Sequence, residues 1–288
     1  MKHAKQTRAP WILLACLAAI ALCIVAAVTL LQPNTNPKNI EIPGTRGNIP
    51  ATIQLPAKSA RGEELPLVVL CHGFTGNRQG DGHFAPLAED LAAHGIATVQ
   101  LDFAGCGDST EPYVNYTLAN MAADVDSVIG YMQATYGTGK TAASLYPQLG
   151  QYPVTALALW SPANGTGLQG LEFLSIDNFA AVEELAARAD AEGSVAAWGV
   201  ELSAAYIDGM RDSDPNVTLQ ESGLPVLLTY SGNERILSDT TQTETKAAVE
   251  SLPDGQVVLD PFVNGDHNYT SEDPATNTQL DADLRQVT

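Results

Sequence analysis

Basic residues are scarce. The 288-residue chain carries 14 Lys and Arg against 33 Asp and Glu, a formal net charge of −19. A surface this acidic repels phosphate backbones and anionic headgroups, which excludes nucleic acid as a partner of the globular part. Cysteine is nearly as scarce, at four residues, and none has metal-ligand spacing. No metal or other cofactor is implied by any motif. No internal repeat is present, which excludes solenoid and propeller architectures. Cys16 and Cys23 fall in an apolar run, while Cys71 and Cys106 each end a predicted strand. A disulfide between the last two is open to an exported domain. Two buried thiols acting as small apolar side chains are the favoured alternative.

Charge is absent altogether from residues 9–34, and residues 11–31 form an unbroken apolar run. As a helix this run would span about 31 Å at ~1.5 Å per residue, enough for a bilayer core. Lys2, Lys5 and Arg8 precede it, which puts that end in the cytoplasm and the following domain outside. The rival reading is a cleaved signal peptide with its site near Ala19-Ile20-Ala21. The run continues well past that point, so an uncleaved membrane anchor is expected. The resulting division is a basic tail at 1–9, an anchor or signal at 10–32, a linker and first edge strand at 33–50, and one α/β domain at 51–288.

Within the domain the apolar periodicity places strands at 40–42, 51–55, 66–71, 96–101, 154–160, 224–230 and 256–259. Helices are expected at 84–94, 118–131 and 241–252. Residues 163–223 interrupt this alternation and carry two amphipathic stretches, 179–189 and 198–210. Residues 271–288 are polar and are expected to be only partly ordered. The strand, glycine-rich turn, helix and strand of residues 65–109 make one right-handed βαβ unit, with its two turns on the same sheet edge.

Those turns read His72-Gly73-Phe74-Thr75-Gly76 and Asp102-Phe103-Ala104-Gly105-Cys106-Gly107-Asp108-Ser109, and Asp266-His267-Asn268-Tyr269-Thr270 follows the last strand. In this order and at this spacing they resemble the α/β-hydrolase superfamily. Within it they are similar to serine esterases and acyl hydrolases of the cinnamoyl/feruloyl-esterase and serine-aminopeptidase-like type. The similarity runs over residues 51–270. It implies an α/β-hydrolase fold, a mostly parallel sheet flanked by helices, a helical lid in the insertion at 163–223, and a small-molecule ester or acyl substrate with no cofactor. His267 would be the general base that takes and returns a hydroxyl proton. The acid orienting it follows the strand ending at Tyr230. Arg235 stands at the family register, so Glu234 is chosen with a one-residue shortening, and Asp239 is held in reserve. Phe74 would give its N–H to an oxyanion hole, with Gly73 permitting close approach. His72 is read as a structural residue, and Asp102 and Asp108 as pins of their own loop.

The family's nucleophile elbow, Gly-x-Ser-x-Gly after the central strand, occurs nowhere in the chain. Residues 131–139 contain no apolar strand, and 139–149 reads as the helix that normally follows the elbow. A deletion of about fifteen residues, joining two helices and removing the central strand, is therefore expected, and the nucleophile is unassigned. Ser161 precedes Pro162, Ser144 falls in the expected helix, Thr138 lacks a strand to aim it, and Cys71 and Cys106 occupy structural positions. A loose phosphate-loop match, Gly139-Lys140-Thr141, lacks the preceding strand such a loop requires. The implied function is a carboxyl-ester hydrolase by ancestry, using a Ser-His-acid mechanism and impaired here. The alternatives are a non-catalytic ligand-binding or scaffolding protein and a truncated gene product.

Overall fold

The computed structural model describes residues 36–57, 64–143, 154–175, 178–253, 257–258 and 265–288. The expected anchor at 10–32 lies outside them. Among the described residues no helix is long and apolar enough to cross a membrane.

Two antiparallel strands, β1 (Lys38–Pro43) and β2 (Asn48–Gln54), form one edge of the sheet. The parallel body is built from β3 (Leu65–Cys71), β4 (Ala97–Leu101), β5 (Thr138–Ala143) and β6 (Val154–Trp160). A hairpin of β7 (Ser194–Ala197) and β8 (Val200–Ser203) stands apart from it. β9 (Val226–Thr229) and β10 (Val257–Val258) complete an eight-stranded sheet in the order β1-β2-β4-β3-β5-β6-β9-β10. Helix α1 (Phe84–Ala93) connects β3 to β4, and α2 (Leu118–Tyr136) connects β4 to β5. The insertion after β6 holds α3 (Phe179–Glu192), the hairpin, α4 (Ala204–Arg211) and α5 (Pro215–Ser222). Helix α6 (Asp239–Glu250) joins β9 to β10, and α7 (Pro274–Val287) closes the chain.

Three expectations are corrected here. The central strand is not missing: residues 138–143 form β5, between β3 and β6, where a helix was expected. Gly137 stops α2 with φ 68°, a conformation that glycine adopts without a side-chain penalty, and its N–H caps Gln133. An empty row here would leave the facing backbone groups of β3 and β6 unbonded inside the sheet. That demand overrides the weak local signal of Thr-Gly-Lys-Thr-Ala-Ala. The C-terminal segment is not partly ordered either. Asp273 caps α7 by accepting from Thr276 N–H, Pro274 fills its first turn, and Leu280 and Leu284 are buried one turn apart. Finally, the second lid stretch is split. Trp198 (φ 49°) and Gly199 (φ 78°) turn a hairpin, and the helix begins only at Ala204. Among its described residues the lid therefore carries three α-helices, a 3-10 helix and a hairpin rather than two amphipathic segments.

The last described residue of β5, Ala143, pairs with Val69 on one side and Leu157 on the other.

Candidate active site

The turns at the carboxyl ends of the parallel strands gather on one edge of the sheet, under the lid. Between them opens a cavity of about 1290 Å³, lined among others by His72, Phe74, Trp160, Ser161, Tyr206 and His267. Ligands of open α/β sheets bind at this edge because the strands' loops converge there.

His267 and Glu234 come together on this edge. The ring Nδ1 lies 2.7 Å from Glu234 Oε2. Glu234 is nearly inaccessible, with 3 % of its side chain exposed, whereas His267 keeps 30 %. The other oxygen of Glu234 accepts from the Ile236 and Leu237 amides at 2.8 and 3.2 Å. Burial pushes this carboxyl up, but the bonds from His267 and the two amides outweigh it and hold it below its ordinary range. The reserve residue Asp239 opens α6, behind the cap supplied by Ser238, and does not join the pair. Among the described residues Nε2 of His267 has no hydrogen-bond partner. A carboxylate fixing Nδ1–H and leaving Nε2 open is the arrangement a general base requires.

The loop after β3 is held by groups that do no chemistry. His72 is buried, with Nδ1 2.7 Å from the Gly73 carbonyl and Nε2 accepting from Phe103 N–H at 3.2 Å. These bonds require the neutral ring with its proton on Nδ1. Burial lowers the pKa of His72, against the Gly73 bond and the charge of Asp102. Asp102 is buried and accepts from Arg78 N–H and Asp108 N–H, and its carboxylate also meets the Arg78 guanidinium. Asp108 differs from the expectation: it pairs with Arg78 instead of binding a backbone amide. This clamp ties the His72 turn to the Asp102 turn. Among the described residues the Phe74 amide donates to no protein group. Its ring packs against Phe173 at 4.9 Å and Tyr206 at 6.2 Å between centroids. Trp198, 53 % exposed at the tip of the lid hairpin, meets both Phe74 and Phe173. This aromatic wall carries no motif in the sequence, since its members come from four separate segments.

The possible nucleophiles are scattered. Thr138 opens β5 and so sits at the opposite, amino-terminal edge of the sheet. Ser161 is at the right edge with φ 44°, but its hydroxyl is engaged, donating to Tyr269 Oη (3.1 Å) and accepting from Ser231 N–H (3.3 Å). Cys71 and Cys106 are free thiols, not a disulfide. Burial, then the charge of Asp102, pushes the Cys106 thiol up to about 12, which removes it as a nucleophile. Ser144, the residue after β5, lies outside the described residues.

The comparisons agree with this geometry. A family model described as alpha/beta hydrolase fold matches residues 66–145. The sequence matches no curated protein. Among solved structures, ferulic-acid-bound Est1E from Butyrivibrio proteoclasticus is 16 % identical with a TM-score of 0.62, covering 86 % of this chain and 98 % of its own. The esterase domain of a Rhodothermus marinus protein is 17 % identical with a TM-score of 0.55, covering 87 % and 98 %. A hydrolase from Agrobacterium vitis S4, titled putative, is 14 % identical with a TM-score of 0.58, covering 88 % and 98 %. At these identities the likeness is one of fold.

Proposed function

We propose that this protein is a member of the α/β-hydrolase superfamily that descends from carboxyl-ester hydrolases and keeps their base, acid and pocket without their usual nucleophile. The observation that carries this reading is the His267–Glu234 pair at the rim of the cavity, in a chain that has no Gly-x-Ser-x-Gly turn. In the complete reaction His267 would take the hydroxyl proton and return it to the leaving alcohol. Glu234 would hold the ring and stabilise its charged form, while the Phe74 amide, given room by Gly73, would bond the developing oxyanion. The second oxyanion donor normally follows the nucleophile and is lost with it.

Loss of a triad serine costs about a millionfold in turnover. The expected outcome is therefore p-nitrophenyl butyrate hydrolysis that is barely above background and is not lowered further by His267→Ala. Ordinary esterase turnover that His267→Ala abolishes would overturn the impaired reading and direct the search to Ser144 or Ser161. The size of the cavity favours a second reading, a ligand-binding protein that does not turn over. Calorimetric binding of aryl or acyl esters without hydrolysis supports it, and a panel with no binder counts against it. Attachment to a membrane through residues 10–32, with the domain on the extracytoplasmic side, is part of the same proposal. The apolar run and the preceding basic residues support it.

A further inference from the structure

His83 is a buried histidine that precedes α1 and belongs to no motif. Its two ring nitrogens both face acceptors. Nε2 lies 3.0 Å from the carbonyl oxygen of Asn268, and Nδ1 lies 3.2 Å from Asp281 Oδ1 on α7. A neutral imidazole has one N–H and fills one of these bonds; only the doubly protonated ring fills both. Asp281 is held in turn by Arg285, whose Nε is 3.5 Å from Oδ2. Arg285 also reaches Asp90 of α1 at 3.1 Å. The chain of contacts thus runs from α1 through α7 to the residue next to His267.

The His267 loop is a knot tied on itself. The Asp266 carboxylate accepts from Asn268 N–H, Thr270 N–H and the Thr270 hydroxyl, and Tyr269 N–H closes onto the Asp266 carbonyl. A knot of this kind moves as one body. Its ties to the sheet side include Tyr269 Oη donating to the Thr229 carbonyl at 3.0 Å, Ser161 Oγ donating to Tyr269 Oη at 3.1 Å and Asn233 N–H donating to the Gly265 carbonyl at 3.0 Å. On the side of His267, Glu234 holds the ring and His83 holds the backbone at Asn268.

We propose that His83 is a positioning residue for His267: its ring, anchored by Asp281 of the C-terminal helix, grips the Asn268 carbonyl and so fixes the loop from which His267 meets Glu234. The proposal rests on reading His267 as the base, but its test reads the histidine directly and needs no turnover. The Nδ1 proton of His267, shared with Glu234, is followed in the full-length protein by its low-field proton resonance and its exchange with water. Glu234→Gln identifies the signal by shifting or removing it. A wild-type protein with no such signal overturns the His267–Glu234 pairing itself, and this inference with it.

With the signal in hand, His83→Phe is expected to raise its exchange rate at least tenfold. Asp281→Asn should raise it severalfold. His83→Gln, which keeps an N–H toward the Asn268 carbonyl, should bring it back to within about threefold of wild type. A purely structural His83 lowers the melting temperature in all three variants without this order. Exchange within twofold of wild type in folded His83→Phe overturns the proposal. Should that variant not fold, unchanged exchange in Asp281→Asn does the same.

Discussion

Glu234 was legible in the sequence because its place is fixed twice, once by the strand ahead of it and once by the shortened register that puts Arg235 where an aspartate would stand. His267 was legible through the resemblance, which puts a histidine in the polar loop after the last strand, and the structure pairs it with Glu234. Nothing local marked His83, whose partners are 185 and 198 residues away. The Glu234 pairing makes a signed prediction. Its carboxyl is held below the ordinary value of 4.5, so the stability it contributes is complete above that pH and disappears as pH falls through the lowered value. Glu234→Gln should therefore cost about 1–3 kcal/mol at pH 7, the range for a hydrogen bond to a charged partner. The gap between wild type and variant should close toward pH 3. Urea denaturation at pH 7, 5 and 3.5 checks this, and a gap that stays constant with pH would contradict the assignment.

The elements separate into those that announce themselves and those that their neighbours impose. The runs that became β3 and β6 are apolar and β-branched enough to be read directly, and the stop of α1 stands in the sequence as Gly95; α2 was expected to end at 131 and runs on to Tyr136, where Gly137 stops it. β5 could not be read because no side-chain pattern specifies it; two flanking strands with open hydrogen-bonding edges do. α7 was misread for a different reason. Its polar composition hid a narrow stripe, Leu280 and Leu284, which is all that a helix lying on the surface of α1 has to bury. If that stripe carries the helix, Leu284→Ala should destabilise the protein by about 2–4 kcal/mol, the cost of a large-to-small change at a fully buried site. The same change at exposed Gln279 should be nearly neutral. A disordered terminus would show no loss at either position. Chemical denaturation distinguishes the two, and the Leu284 variant should also loosen the anchor of His83 through Asp281.

At the scale of the molecule the fold class was legible and the cavity was not, because its lining comes from segments far apart in the sequence. What the whole chain does carry openly is its charge. With a net −19, the folded domain holds like charges closer together than the unfolded chain does, and this self-repulsion lowers its stability. Ion pairs at the surface, such as Arg211 with Asp190 and Asp208, contribute little against this. Salt screens such repulsion over about 30 Å at 0.01 M but only about 8 Å at 0.15 M. The melting temperature at pH 7 should therefore rise when NaCl is raised from about 10 to about 150 mM. The rise should shrink as pH approaches 4.4, where the net charge vanishes. Had surface ion pairs dominated, salt would lower the melting temperature instead. A fall, or a rise that does not depend on pH, would show that specific pairs rather than the overall field set the electrostatic part of stability.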